Sequence, residues 1–99
     1  MDKEEFIFKL GTMRRNANLS ARALSLKIDK NEGYMNRLES GKEFLPSMEV
    51  FFNLLDACGY TPEKFFYHDS NSFEQDMELL NKIKGLSEDK KQALLTLLK

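Results

Sequence analysis

The chain has few of the residue types that build catalytic or metal sites. Its 99 residues include one cysteine, one histidine and no tryptophan. A single cysteine cannot form an internal disulfide, and one histidine supplies too few ligands at short spacing for a zinc site. Nothing in the sequence offers a nucleophile, a base and an orienting group together, or a glycine-rich phosphate loop. We therefore expect no enzyme activity, no cofactor and no metal.

Long hydrophobic runs and strand patterns are also missing. The longest apolar runs are far shorter than the roughly 20 residues of a membrane helix, and the first residues, Met-Asp-Lys-Glu-Glu, lack the basic-then-apolar order of a secretory signal. With the single Cys58, these features predict a cytoplasmic protein. There are no alternating apolar runs and no Asn-Gly turn, so the chain should be all-α.

Positive charge is concentrated in one part of the chain. The net charge is −1, which argues against a uniformly basic nucleic-acid-binding surface. Residues 14 to 42, however, hold seven Lys plus Arg against three Asp plus Glu, whereas residues 46 to 99 hold six against nine. Solvated helix faces would also account for scattered cations. The distribution nevertheless fits an anionic partner at residues 14 to 42.

Two short helical patterns lie close together between residues 19 and 41. The first begins at Ser20 and the second at Asn31, both residue types that cap helix starts, and Gly41 ends the second pattern. Only Asp29 and Lys30 separate the patterns, so the helices must cross steeply, as in a DNA-binding helix-turn-helix. Asp29 can adopt the left-handed conformation that such a turn needs. The inward positions are Leu24, Ile28, Met35 and Leu38.

The spacing of these and later residues resembles the phage-repressor-like (Cro/XRE-type) helix-turn-helix family. The matching positions are Leu19-Ser20, Leu24-Ser25, Ile28, Met35, Leu38-Glu39, Gly41, Pro46-Ser47, and Phe65-Phe66 after Thr61-Pro62. The segment from Gly33 to Lys42 is similar to small bacterial regulators, many of them prophage-associated. Across about residues 5 to 67, the resemblance implies a lambda-repressor-like five-helix domain. It also implies sequence-specific binding of double-stranded DNA and transcription regulation, as a repressor.

Three positions depart from the family pattern. Ala21 stands where many relatives carry a glutamine that contacts DNA, which removes one expected contact. Asp29 replaces the usual glycine of the turn, and Lys30 replaces a common apolar residue. The last two departures affect mainly the turn.

The outward face of the second motif helix is the candidate base-reading surface, because Met35 and Leu38 point inward. Arg37 is suited to guanine, Glu32 to the cytosine amino group and Asn36 to adenine or a phosphate. Gly33 permits close backbone approach, and Tyr34 either reaches DNA or covers the core edge. The full set is Glu32, Gly33, Tyr34, Asn36 and Arg37.

Residues flanking the same helices are the candidate phosphate contacts. They are Ser20, Ala21, Arg22, Asn31, Ser40 and Lys42, with Arg14 and Arg15 as outer candidates. Ser20 and Asn31 are equally well explained as helix caps. Glu39 has a structural role in this interpretation, paired with a basic residue such as Arg14 or Arg22.

The domain boundary is predicted at the polar segment from His68 to Ser72, giving a DNA-binding domain of residues 1–68 and a helical extension of residues 69–99. Helices are expected from Lys3 to about Asn16, after Pro46-Ser47, after Thr61, from Phe73 to Gly85 and after Ser87. The leucine-rich extension either pairs with a second copy, giving a homodimer on a near-palindromic operator, or packs back on the domain. An alternative function is a protein-interaction module, such as an antitoxin subunit or an antagonist of another regulator.

Overall fold

The computed structural model describes residues 1–42 and 44–99 and contains helices without strands in that part of the chain. The helices are α1 (Lys3–Asn16), α2 (Ala21–Lys27), α3 (Tyr34–Glu39), α4 (Met48–Cys58), α5 (Pro62–Phe66), α6 (Phe73–Lys84) and α7 (Glu88–Leu97). A 3-10 turn, Ser70–Ser72, precedes α6. The predicted all-α class is confirmed. None of the helices in the described part is long and apolar enough to cross a membrane.

Side-chain caps explain where most of these helices begin. Ser20, Ser47 and Ser87 precede α2, α4 and α7, and each side chain accepts a hydrogen bond from the backbone N–H three residues later. Asp2 does the same for α1. Such a bond satisfies one of the amide groups that a helix start leaves without a partner. The helix starts predicted after Ser20, Ser47 and Ser87 are therefore confirmed.

The start of α3 differs from the prediction. Asn31 is not its cap, because the helix begins at Tyr34 and Gly33 occupies the cap position without a side-chain bond. The Asn31 side chain instead accepts a hydrogen bond from the Gly33 N–H at 3.1 Å, and the Asn31 carbonyl accepts one from the Tyr34 N–H. Asn31 thus closes a turn ahead of the helix, as asparagine side chains commonly do.

The connection from α2 to α3 turns at Asp29, which has a φ of 61°. This left-handed conformation is the one expected for Asp29 from the sequence. After α3, Gly41 also has a positive φ, and Gly59 ends α4 in the left-handed region. Gly41 thus acts as the predicted helix-stop residue, and Gly59 ends α4 in the same way.

The hydrophobic core belongs to α1 through α5. Its buried side chains are Ile7, Leu10, Met13, Leu24, Ile28, Met35, Leu38, Phe51, Leu54, Leu55, Tyr60 and Phe65. Met35 and Leu38 are fully buried, as their inward assignment predicted. Of the adjacent pair Phe65-Phe66, only Phe65 belongs to this core. Phe65 is 1% exposed and Phe66 is 52% exposed, because neighbouring helical residues point about 100° apart.

The chain divides into two compact units, Met1–Phe66 and Tyr67–Lys99. The division falls two residues before the predicted boundary at residue 68. In the second unit the Tyr67 hydroxyl donates to Asp76 Oδ2 at 2.6 Å, and the Tyr67 and Phe73 rings meet edge to face. As predicted, α6 ends before Gly85. Neither α6 nor α7 contains a buried residue.

Candidate nucleic-acid interface

A fully buried serine joins the two motif helices. The Ser25 hydroxyl on α2 donates to the Ala21 carbonyl at 2.7 Å and accepts from the Met35 N–H of α3 at 2.9 Å. Met35 is one of the first residues of α3, so its amide has no partner within that helix. Ser25 supplies the cap that Gly33 lacks and supplies it from the neighbouring helix. The start of α3 is therefore held against α2.

A bidentate ion pair holds the other end of α3 against α1. Arg14 donates from Nε to Glu39 Oε2 at 2.8 Å and from Nη2 to Glu39 Oε1 at 3.0 Å. Its remaining terminal nitrogen donates to the Leu19 carbonyl at 2.9 Å. The two charged side chains are only 16% and 18% exposed, and the carboxylate raises the pKa of Arg14 through these hydrogen bonds. Glu39 thus has the structural role predicted for it, with Arg14 as the partner.

Gly11 makes room for this ion pair. It is buried on α1, and a Cβ atom at this position would lie 2.9 Å from Glu39 Oε1 and 3.1 Å from Arg15 Nη1. Real Cβ atoms essentially never approach another heavy atom within 3.0 Å. A larger residue at Gly11 would displace the carboxylate that anchors α3.

The outward side of α3 presents the candidate base-reading residues with unequal exposure. Glu32 and Asn36 are exposed, whereas Gly33, Tyr34 and Arg37 are half-buried. Arg37 Nη1 donates to Asn31 Oδ1 at 3.3 Å, and a Cβ atom on Gly33 would lie 3.0 Å from the same Arg37 nitrogen. The Arg37 guanidinium therefore lies over the turn that begins α3, next to Gly33 and Asn31.

A second ion pair connects a base-reading candidate with a phosphate candidate. Arg22 Nε lies 3.1 Å from Glu32 Oε2, and both side chains are 69% exposed. Because the pair is exposed to solvent, it contributes less than about 1 kcal/mol and can open for another partner. The two residues are neighbours in space although they are ten positions apart in sequence.

Tyr34 takes the position described by the core-covering alternative. Its ring centroid lies 5.3 Å from that of Phe44, and Lys30 Nζ lies 5.5 Å from the ring centroid on its face. Partial burial raises the pKa of the Tyr34 phenol. Since Lys30 lies over this ring, it has a packing role. The sequence predicted only that Lys30, in place of an apolar residue, would affect the turn.

The phosphate candidates fall into two groups. Arg15, Arg22, Asn31 and Lys42 are exposed. The Ser20 hydroxyl is engaged in capping α2, the Ser40 hydroxyl donates to the Arg37 carbonyl at 2.6 Å, and Ala21 is half-buried. Arg14 lies in the ion pair with Glu39, a placement that favours a structural role over a phosphate contact.

Sequence reasoning missed the roles of Ser25 and Gly11. Ser25 directly follows the inward residue Leu24 and comes three residues before the inward residue Ile28, so its position on the buried side of α2 is visible in the periodicity. For Gly11, the available signal is a glycine in the middle of an otherwise strong helix pattern, which often indicates close packing.

The described residues contain no group of three His, Cys, Asp or Glu side chains that could hold a metal ion. Comparisons of the chain with family models, with curated proteins and with solved structures gave no match.

Proposed function

We propose that the chain is a sequence-specific regulator of transcription that binds double-stranded DNA through α3. In this proposal Met1–Phe66 is a lambda-repressor-like domain of the phage-repressor-like (Cro/XRE-type) family. The observation that carries the proposal is how α3 is held in the fold. This six-residue helix is bonded to Ser25 of α2 at one end and to Arg14 of α1 at the other, and its outward side is polar. A rigidly held short helix with exposed polar groups fits the major groove of DNA.

The side chains on this surface suit recognition of base edges. Asn36 is exposed on α3, Glu32 lies in the turn before the helix, and the Arg37 guanidinium lies over that turn. Guanidinium, amide and carboxylate groups match guanine, adenine and cytosine edges respectively. Arg22 and Lys42 are exposed cations beside this surface and are the proposed phosphate contacts. Opening of the solvent-exposed Arg22–Glu32 pair would present both groups to DNA.

The proposal includes a homodimer that acts in the cytoplasm. Two copies would place two α3 helices in successive major grooves, about 34 Å apart, on a near-palindromic operator. Repression would follow from occupying that operator.

The first test is selection of binding sequences from a random pool of double-stranded DNA at about physiological salt, where non-specific binding is weak. Enrichment of a two-fold-symmetric sequence is the expected result. Failure of a folded protein to enrich any sequence would contradict the proposal. It would favour the alternative function, a protein-interaction module such as an antitoxin subunit or an antagonist. The exposed leucines of the second unit, among them Leu95, Leu97 and Leu98, fit that alternative.

Two substitutions separate base reading from phosphate binding on the selected operator. Arg37→Ala should lower discrimination between the operator and variants of it by about 1–3 kcal/mol. Lys42→Ala should weaken binding to all DNA about equally. It should also reduce the slope of the logarithm of the binding constant against the logarithm of the salt concentration by roughly one unit. Lys90→Ala, the same loss of an exposed positive charge on α7, is the control and should change neither property. Unchanged discrimination by Arg37→Ala would remove Arg37 from the reading set.

A further inference from the structure

The Arg37 side chain runs back along α3 toward the start of the helix. Side chains on a helix tilt toward its amino end, so a long side chain at Arg37 passes over the residue four positions earlier, which is Gly33. Gly33 has no side chain to block that path. The guanidinium therefore reaches the turn ahead of α3, where Arg37 Nη1 donates to Asn31 Oδ1 at 3.3 Å.

The Asn31 side chain is oriented by a second hydrogen bond in that turn. Asn31 Oδ1 also accepts the Gly33 N–H at 3.1 Å. This bond joins groups only two positions apart, so it sets the direction of the Asn31 side chain independently of Arg37. Both neighbours of Oδ1 are N–H donors, and this assigns the oxygen, and not the amide nitrogen, to the side that faces them. Asn31 thus presents an oriented acceptor to the Arg37 guanidinium.

The Asn31–Arg37 bond also depends on the absence of a side chain at Gly33. A Cβ atom there would lie 3.0 Å from Arg37 Nη1 and 3.7 Å from Asn31 Oδ1. The guanidinium would then have to move by a few tenths of an ångström. Because 3.3 Å is already long for an N–H to oxygen hydrogen bond, this movement would break it.

We propose that Asn31 is a specificity-determining residue, and that it acts by holding the Arg37 guanidinium in position for a guanine of the operator. The inference rests on the proposed function and deepens it, since it names the residue that orients a base-reading side chain. A guanidinium carries several N–H donors, so the bond to Asn31 is compatible with a bidentate pair with guanine O6 and N7. Asn31, a phosphate candidate by sequence, is here a positioning residue that acts through Arg37.

Holding the guanidinium in place raises discrimination between sequences more than it raises general affinity for DNA. An arginine side chain that is not held has many rotamers, and ordering it on binding has an entropic cost. This cost arises only in complexes in which Arg37 contacts guanine, so it weakens specific binding and leaves non-specific binding unchanged. Removing the Asn31 acceptor should therefore lower discrimination at this base pair by about 2- to 10-fold.

The mobility of the Arg37 side chain in the free full-length chain tests the positioning itself. NMR relaxation of the arginine Nε–H groups reports their order on the picosecond to nanosecond timescale. Arg37 should become more mobile in Asn31→Ala, whereas Arg14, held by its ion pair, should stay ordered as an internal reference. Asn53→Ala, the same change at an exposed residue of α4, is the control and should leave Arg37 unchanged. Equal mobility of Arg37 in Asn31→Ala and in wild type would overturn the proposal.

Gly33→Ala should mobilise Arg37 in the free chain although it keeps the Asn31 oxygen. It is measured only without DNA, because an added methyl group on this surface would also meet DNA directly. Gly85→Ala is the matched control, since Gly85 has φ −82° and ψ −6° against −92° and 0° at Gly33. A Cβ atom at Gly85 would meet the Lys82 carbonyl oxygen at 3.6 Å, an ordinary contact. Arg37 that stays as ordered in Gly33→Ala as in wild type would contradict the inferred path of the guanidinium.

Discrimination on the selected operator tests the consequence for DNA reading. The base pair concerned is the one at which Arg37→Ala loses discrimination, and we expect it to contain guanine. Asn31→Ala should lose about 2- to 10-fold there. Asn31→Asp keeps the acceptor oxygen and should retain the discrimination, although its negative charge weakens binding to all DNA. Wild-type discrimination by Asn31→Ala would overturn the proposal.

A double-mutant cycle separates positioning from a direct or a purely structural role of Asn31. In an Arg37→Ala background, Asn31→Ala should cause no further loss of discrimination at that base pair. A further loss of the same size would overturn the proposal, because Asn31 would then act without Arg37. The outcomes are also distinct from failure of the proposed function. If a folded chain enriches no sequence, DNA reading fails, and the relaxation measurement still decides whether Asn31 holds Arg37.

Discussion

Replacing Ser25 with alanine should test how α3 is held against α2. The Ser25 side chain is fully buried and its hydroxyl serves two backbone groups, donating to the Ala21 carbonyl and accepting from the Met35 N–H. The Ala21 carbonyl retains its place in the helical hydrogen-bond ladder. The Met35 amide, in contrast, would remain buried with no acceptor from α2. The lost hydrogen bond therefore destabilises mainly the start of α3.

The expected cost follows from that buried amide. Leaving a buried donor without a partner costs about 1–3 kcal/mol. For a domain of 60–100 residues, each kcal/mol lowers the melting temperature by roughly 4–8 °C. Ser25→Ala should therefore lower the melting temperature by roughly 4–24 °C. The methyl group of alanine fits the space of the serine side chain, so no steric term is added.

Urea denaturation followed by circular dichroism measures the change in the free energy of unfolding. Ser40→Ala is the matched control, because the Ser40 hydroxyl is exposed and its hydrogen bonds, to the Arg37 carbonyl and from the Lys42 N–H, reach at most three residues along the chain. It should change stability by no more than about 0.5 kcal/mol. A Ser25→Ala chain as stable as wild type would refute the reasoning, since it would mean that the Met35 amide does not depend on Ser25.

Two further predictions concern groups at the edge of the core. Glu39→Gln should destabilise the chain by about 1–3 kcal/mol in urea denaturation, because it breaks a largely buried bidentate pair with Arg14. Glu32→Gln breaks the exposed pair with Arg22 and should cost less than about 1 kcal/mol. Equal losses of stability in the two variants would contradict this prediction. Burial raises the pKa of the Cys58 thiol, so iodoacetamide should alkylate it more slowly in the native chain than in urea at the same pH, and equal rates would argue against burial. Because the folded-state pKa is the higher one, the stability contributed by Cys58 is present below the pKa of the unfolded thiol and is lost as the pH rises through the folded value.

The helix starts show how much of the fold can be predicted from the sequence. Ser20, Ser47 and Ser87 cap their helices through bonds that reach only three residues along the chain. Such bonds depend on local sequence, so local patterns predict them. The inward positions Met35 and Leu38 follow from helical periodicity in the same way.

The start of α3 could not be predicted from local patterns. Asn31 is a good cap by residue type, yet the helix begins at Tyr34, and the amide of Met35 is capped by a serine ten positions earlier. Phe65 and Phe66 have the same side chain and are adjacent, and only the packing of α5 decides that Phe65 is the buried one. In both cases the deciding contact comes from another helix.

The candidate site divides in the same way. The sequence by itself determined which residues lie on the outward side of α3, since they fall about half a helical turn away from Met35 and Leu38. The tertiary structure decided which of their neighbours engage them: Glu32 meets Arg22 from α2, and Glu39 meets Arg14 from α1. The physical reason is the range of the interaction. Caps and periodicity act within a turn or two of helix, whereas these ion pairs join residues 10 and 25 positions apart that become neighbours only when the helices pack.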